Sequence, residues 1–274
     1  MLIYNSKSFV SPHAREYFAK INAAGGDVTD KKGITDFING IFEIGGSSLW
    51  NSMVCWPLRS SQNVGTGTTA YSLGGLGSYP GTLVNGPTWG TDGVFCDGTN
   101  DYIDTNYIPV TTGLNSVITI HKPTIDEAKM VFGCRSASTL GGFESVRRGV
   151  TAGNRKGEAY ARGSSGSTAS IIVSPAESLA AFHSYFYAFD SSAIKIGFGF
   201  DSGAITYGSA GSTAFGSTDN SIKLSSNGSV GNGGGSTGDF AFFANFSGVI
   251  FTSAQYAAFS SLYKSTIGTG LGLN

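Results

Sequence analysis

The sequence predicts a mostly β chain, an antiparallel jelly-roll β-sandwich with an N-terminal helical hairpin and a C-terminal helix. Three observations carry this expectation. Glycine supplies 41 of the 274 residues while charged residues make up only 13%, about half the share typical of soluble domains, which suits short strands joined by tight turns. From residue 47 onward, short apolar and aromatic runs recur between Gly-rich breaks, the pattern of a sandwich or barrel. Apolar residues at helical spacing are confined to the two ends.

The first helix is expected to start at Ser11 and Pro12, with serine as N-cap and proline at the first helical position. Tyr17, Phe18 and Ile21 then recur at helical spacing, and Gly25 and Gly26 stop the run. A second start falls at Thr29 or Asp30. Ile34, Phe37, Ile38, Ile41 and Phe42 form one apolar stripe, which Gly45 and Gly46 end. The stripe needs a cover, supplied either by the rest of the chain or by a partner. This divides the chain into a helical docking segment, 1–46, and a sandwich, 47–274.

The first strand candidate is Trp50 to Leu58, followed by a long loop over 60–80. Val117–Ile120 and Lys129–Phe132 are short strands, and Ala180–Phe189 is an aromatic one. Over Ala193–Phe200, Ile194, Ile196, Phe198 and Phe200 alternate with Lys195, Gly197 and Gly199, so one face is apolar. Asp239–Phe246 and Val249–Phe251 close the series. Residues 225–238 have the composition of a mobile loop tip. Thr252 to Gln255 is a capping box, and Tyr256, Phe259, Leu262 and Tyr263 form the stripe of the last helix.

Residues 81–103, GTLVNGPTWGTDGVFCDGTNDYI, carry the most specific pattern. Asp97, Gly98, Thr99 and Asn100 suit a turn, because they cap backbone groups or tolerate left-handed conformations. Asp101 follows, and Tyr102 and Ile103 restart a strand. Trp89 is large enough to plug the space between two sheets. The segment resembles laminin-G-like, concanavalin-A-like domains, which pair a G-T-L-x-N-G-x-x-W element with an apolar-x-D-G-T-N-D-Y-I element. Gly81, Thr82, Leu83, Asn85, Gly86 and Trp89 match the first, and Phe95 and Asp97 to Ile103 match the second. The remainder matches in strand rhythm. The helical ends resemble those of bacteriophage tail and virion structural proteins.

Chemistry is sparse. Glycoside hydrolysis needs two carboxylates flanking the bond, and the resembling glucanases set them two residues apart on one strand. Asp126 and Glu127 are adjacent, while Glu144 and Glu158 are isolated and read as surface acids. His13, His121 and His183 have no local nucleophile–acid context. The run Gly234–Gly238 fits a nucleophile-elbow spelling without its strand-to-helix setting. Asp97, Asn100 and Asp101 could face calcium, which some resembling domains bind, but turn capping already accounts for them. Arg147, Arg148, Arg155, Lys156 and Arg162 read as a solvated basic hairpin. Cys55, Cys96 and Cys134 are an odd set at wide spacing, expected as buried free thiols.

The expectation is therefore a non-enzyme without cofactor, metal or catalytic residues. A net charge of -1 provides no field for nucleic acid, and no apolar run would insert in a membrane. The opening MLIYNSKSFVSPHAREY has no secretory apolar run. The resemblance implies a virion protein, a capsid decoration or tail component assembled in the host cytoplasm. Its implied partners are other virion proteins, copies of itself (a trimer by analogy) and a host-surface glycan. The alternative is a dedicated carbohydrate-binding receptor-recognition module, with glycan hydrolysis a more distant third.

Overall fold

The computed structural model describes residues 10–136, 141–148, 156–163, 168–172, 178–208, 214–226 and 234–273. Among them are three helices and sixteen strands. In order these are α1 (Pro12–Ala23), α2 (Lys31–Ser52), β1 (Met53–Pro57), β2 (Thr69–Ala70), β3 (Gly81–Val84), β4 (Thr88–Trp89), β5 (Val94–Cys96), β6 (Tyr102–Asp104), β7 (Leu114–Pro123), β8 (Met130–Gly133), β9 (Gly142–Arg148), β10 (Lys156–Arg162), β11 (Thr168–Ile172), β12 (His183–Asp190), β13 (Lys195–Phe200), β14 (Thr206–Tyr207), β15 (Lys223–Leu224), β16 (Gly238–Ser247) and α3 (Ser253–Ser265).

The named strands pair antiparallel in two sheets. The central sheet has the order β14-β13-β12-β7-β16-β5-β4, and β1 also pairs β16. The outer sheet has the order β11-β10-β9-β8-β15-β6-β3-β2. Side chains alternate across a strand, so the central sheet presents two apolar faces. Val117, Tyr185, Tyr187, Phe240 and Phe243 meet Leu83, Ile103, Phe132 and Phe143 of the outer sheet. Ile118, Ile120, Phe186, Phe242 and Phe246 meet the helices. The molecule is thus a β-sandwich with a helical layer on one side.

The helical stripe is covered within the chain. Ile34, Phe37, Ile38 and Ile41 join the same core as Phe242 and Phe259. Phe37 meets Phe242 at 5.7 Å and Phe259 at 5.8 Å between ring centroids. Gly40 lets α2 and α3 approach, since a Cβ there would lie 2.2 Å from Leu262 Cδ1. The glycines of β13 have the same use. Ile196 and Phe198 point into the sandwich, while a Cβ on Gly199 would lie 2.7 Å from the Tyr256 ring of α3.

Several expectations are corrected. Gly46 bends α2 with φ 63, but the chain turns helical again to Ser52 before β1 begins. Ser11 precedes α1 without capping it through its side chain, whereas Asp30 accepts from Gly33 N and caps α2. Val249–Phe251 is not a strand; it leads into α3, whose Thr252–Gln255 capping box is formed. Polar residues concealed β9, β10 and β11. Within 225–238, residues 227–233 lie outside the described segments, and Ser225, Ser226, Ser236 and Thr237 are buried rather than a loose tip. The three cysteines are free and buried, and burial pushes the Cys134 thiol up to about 12.

The tryptophan between the two sheets is Trp56. It is fully buried, donates from Nε1 to Tyr79 O at 3.0 Å and packs on Phe243. Trp89 sits half-buried on edge strand β4 and donates to Gly67 O at 3.0 Å. Trp56→Ala should therefore cost about 3–5 kcal/mol and Trp89→Ala about 1 kcal/mol, measured by urea unfolding. Equal losses would contradict this assignment of the core.

Candidate functional site

The predicted motif residues form a folded corner. Asn85, with φ 67, and Gly86, with φ 117, make the tight turn between β3 and β4. The Asn85 side chain donates to Asn100 O at 2.9 Å. Asp97 Oδ1 accepts from Thr99 N at 2.8 Å, the expected capped turn. Gly98, with φ 77, lies where a Cβ would meet Thr237 Oγ1 at 2.0 Å. Asp101 is buried and accepts from Asp97 N, and burial raises its carboxyl above the usual range. These residues brace the corner. Tyr102, like Thr82, turns its side chain to the outward face of the outer sheet.

The strand register defines that face. Leu83, Ile103, Leu224 and Phe132 point inward, so their neighbours point out. Thr82, Asp104, Lys223, Gly133, Glu144 and Tyr160 pair in sequence across six strands. At about 4.8 Å per strand step this row is about 24 Å long. Gly133 leaves a dip in its middle.

The row is polar and braced at both ends. Asp104 Oδ1 accepts from Asn106 N at 2.9 Å and from the Ser221 hydroxyl. Lys223 Nζ lies 4.0 Å from Asp104 and 5.5 Å above the Tyr102 ring. At the far end Arg162 Nε donates to Glu144 Oε1 at 2.7 Å, and the guanidinium lies 5.6 Å above the Tyr160 ring. Each aromatic ring thus carries a cation on one face. Thr82 is exposed, and Tyr102, Asp104, Tyr160 and Arg162 are half-buried.

Two sequence expectations change here. Glu144 and Glu158 are buried rather than surface acids. The basic hairpin is not simply solvated: Arg147 is buried and donates to Ile125 O at 2.9 Å, and Arg162 pairs with Glu144. Arg155 lies outside the described residues, as do the side chains of Arg148 and Lys156.

A second polar group lies at one end of the sandwich. His183 Nδ1 meets Asp201 Oδ2 at 2.8 Å, and Nε2 lies 3.1 Å from Ser178 Oγ. The order is that of a hydrolytic triad, assembled from a loop residue, the start of β12 and the turn after β13. Nε2 also lies 3.0 Å from the Ser178 carbonyl O. A ring nitrogen that donates to a carbonyl is not free to take the serine proton. The nearby amide of Ala180 is spent on Pro123 O at 2.8 Å. In this geometry His183 bridges Asp201 and the chain before β12.

Opposite His183 across the strand pair is His121, fully buried against Phe240 at 4.4 Å. Neither ring nitrogen has a hydrogen-bond partner. Burial holds its pKa well below the usual value, with the Arg147 and His183 charges acting in the same direction. The ring stays neutral in the fold, so the unfolded chain binds the proton more readily. Its stabilising share is complete above the unfolded pKa of about 6.5 and is lost as pH falls below that value. Thermal midpoints should drop between pH 7 and 5, and His121→Phe should flatten that drop. An unchanged slope in the variant would assign it elsewhere.

No group of three or more His, Cys, Asp or Glu side chains is placed to hold a metal ion among the described residues. No helix among them is long and apolar enough to cross a membrane.

No family model matches the chain, and no curated protein matches it. Solved structures do. The binding domain of botulinum neurotoxin serotype D superposes with a TM-score of 0.53 at 8% identity, over 77% of this chain and 52% of that one. A Trypanosoma rangeli sialidase mutant displaying trans-sialidase activity gives 0.50 at 10% identity, over 86% and 39%. Domain 4 of a GH43 extracellular arabinanase from Geobacillus stearothermophilus, in complex with arabinotriose, gives 0.40 at 15% identity, over 76% and 87%. The chain therefore spans about half of the toxin domain and less than half of the sialidase. At these identities the likeness is one of fold, a β-sandwich.

Proposed function

We propose that the chain is a carbohydrate-binding recognition module whose outer sheet receives an extended glycan. One observation carries the reading. The helices seal the far face of the central sheet, while the outer sheet keeps a braced polar row flanked by Tyr102 and Tyr160. Sugar rings stack through their C–H faces on aromatic rings, and their hydroxyls need both donors and acceptors. Asp104, Lys223, Thr82 and Arg162 supply these at fixed positions, which lowers the ordering cost of binding. The similar solved structures include an arabinanase domain in complex with arabinotriose and a sialidase carbohydrate-binding module bound to sialyllactose, which is consistent with this reading without carrying it.

The proposed role is binding without catalysis. Glu144 is committed to Arg162, and the Ser178–His183–Asp201 group is committed to bracing. On a glycan array the purified chain should retain at least one polysaccharide or oligosaccharide. Tyr102→Ala and Lys223→Ala should each weaken that retention by about tenfold with little change in melting temperature. Retention unaffected by both variants would remove the outer sheet from the proposal, and release of reducing ends from a bound glycan would overturn the non-catalytic part.

The resemblance of the two helical ends to phage tail and virion proteins favours a virion setting for this module, with other virion proteins and copies of itself as partners. Light scattering should then report a trimer in solution. A monomer at all concentrations would sink the oligomeric part of that setting and leave the binding module in place.

A further inference from the structure

A separate groove lies on the helical side of the molecule, away from the outer sheet. It forms between α1, the last turn of α2 and the loop around 72–78, and encloses about 340 Å³. Helical spacing explains its α1 wall. Ala14, Tyr17 and Ile21 face the core, which leaves His13, Glu16 and Lys20 on the flanking strip. The kink at Gly46 supplies the opposite wall, because the resumed helical turn carries Trp50 and Asn51 to the groove.

The groove combines ring surface with polar groups that the fold leaves unused. His13 stands against Trp50 at 4.7 Å between ring centroids, and Phe42 backs them both. Trp56 Nε1 and Trp89 Nε1 each have a carbonyl acceptor. Trp50 Nε1, the Asn51 amide and the Glu16 carboxylate have no hydrogen-bond or ion-pair partner among the described residues. Lys20 Nζ is held at the rim by Ser78 Oγ at 3.0 Å.

Glycine keeps this wall close and bare. A Cβ on Gly75 would lie 2.8 Å from Trp50 Nε1 and 2.7 Å from Asn51 Oδ1. The loop therefore passes close against the indole edge of Trp50, whose ring is otherwise buried.

We infer that this groove is a second binding site, for a single neutral pyranose unit. The volume is at the small end for ligand sites, which suits one ring. A pyranose has an apolar C–H face for the half-buried His13 imidazole, and equatorial hydroxyls that both donate and accept. Trp50 Nε1 and Lys20 donate, Glu16 accepts, and Asn51 does both. The one acid and one base in the lining offset each other, so no net charge on the ligand is called for. A module with this site and the outer-sheet row would engage a glycan-bearing surface at two points, with the gain in avidity that linkage brings. The groove inference stands on its own residues and does not require the outer sheet to bind.

The test reads the three indole N–H resonances of the ¹⁵N-labelled full chain. The probes are the methyl glycosides of glucose, galactose, mannose and N-acetylglucosamine, titrated through the millimolar range. The Trp50 resonance should shift saturably with at least one glycoside, while those of Trp56 and Trp89 stay in place. Asn51→Ala and Glu16→Gln should each weaken the apparent affinity by about tenfold. Both positions are exposed, so folding is preserved. Gly75→Ala, which crowds Nε1, should abolish the shift. Tyr102→Ala should leave the titration unchanged, which separates this site from the outer sheet. A Trp50 resonance that no glycoside moves would overturn the inference, as would a shift that survives both Asn51→Ala and Glu16→Gln or disappears in Tyr102→Ala.

Discussion

Strand β16 is buried on both faces, and the three-layer arrangement depends on it. Phe240 and Phe243 fill the sandwich, while Phe242, Ala244 and Phe246 receive the helices. A regular strand would send residues 240 and 242 to the same side. The register shifts between Phe240 and Phe242, and this bulge sends them to opposite cores. The neighbouring strand changes at the same place. β16 pairs β5 up to Phe240 and β1 from Phe242 onward. Ala241, the extra residue, gives its carbonyl to Leu58 N at 3.0 Å. One irregularity therefore lets two strands share one edge of β16 and lets a run of phenylalanines serve two cores.

The helical layer follows from this two-sided strand. Phe242 meets Phe37, Phe259 and Tyr263, so α2 and α3 converge over β16. Closing that face leaves the outer sheet open, and grooves form beside the helices. The small residues mark where layers come closest: Gly40 between α2 and α3, and Gly199 beneath Tyr256. Larger side chains at either place would separate the helices from the sheet and weaken the aromatic contacts.

The sandwich also holds polar groups that an apolar core would not need. Ser145 Oγ and Tyr187 OH share a hydrogen bond of 2.5 Å. Arg147 and His121 are fully enclosed nearby. Burying such groups is costly unless they are partnered, and the neutral His121 ring is the cheaper of its two protonation states. On the outward side, Glu144 is buried beneath Arg162 and pairs with it. Charge in this molecule is scarce and largely used to fix neighbouring elements, as Asp201 fixes His183.

The sequence by itself determined the helices at both ends, the alternation of β13 and the turn at Asp97–Asn100, because these depend on spacing and local capping. Apolar residues at three- and four-residue steps, a capping box and left-handed turn residues act over a few positions and need no distant partner. It did not reveal β9–β11, whose polar residues mask the period of two, or the burial of Glu144, Glu158 and Arg147. It placed Trp89 between the sheets, where the structure has Trp56, because both have strand-like surroundings. Those outcomes depend on which strands become neighbours. Lys223 reaches Tyr102 only because β15 pairs β6, and Trp50 joins His13 only because α2 bends at Gly46. Binding surfaces assembled from residues far apart in the chain were decided by tertiary structure, because their chemistry exists only once the sheets and helices have packed.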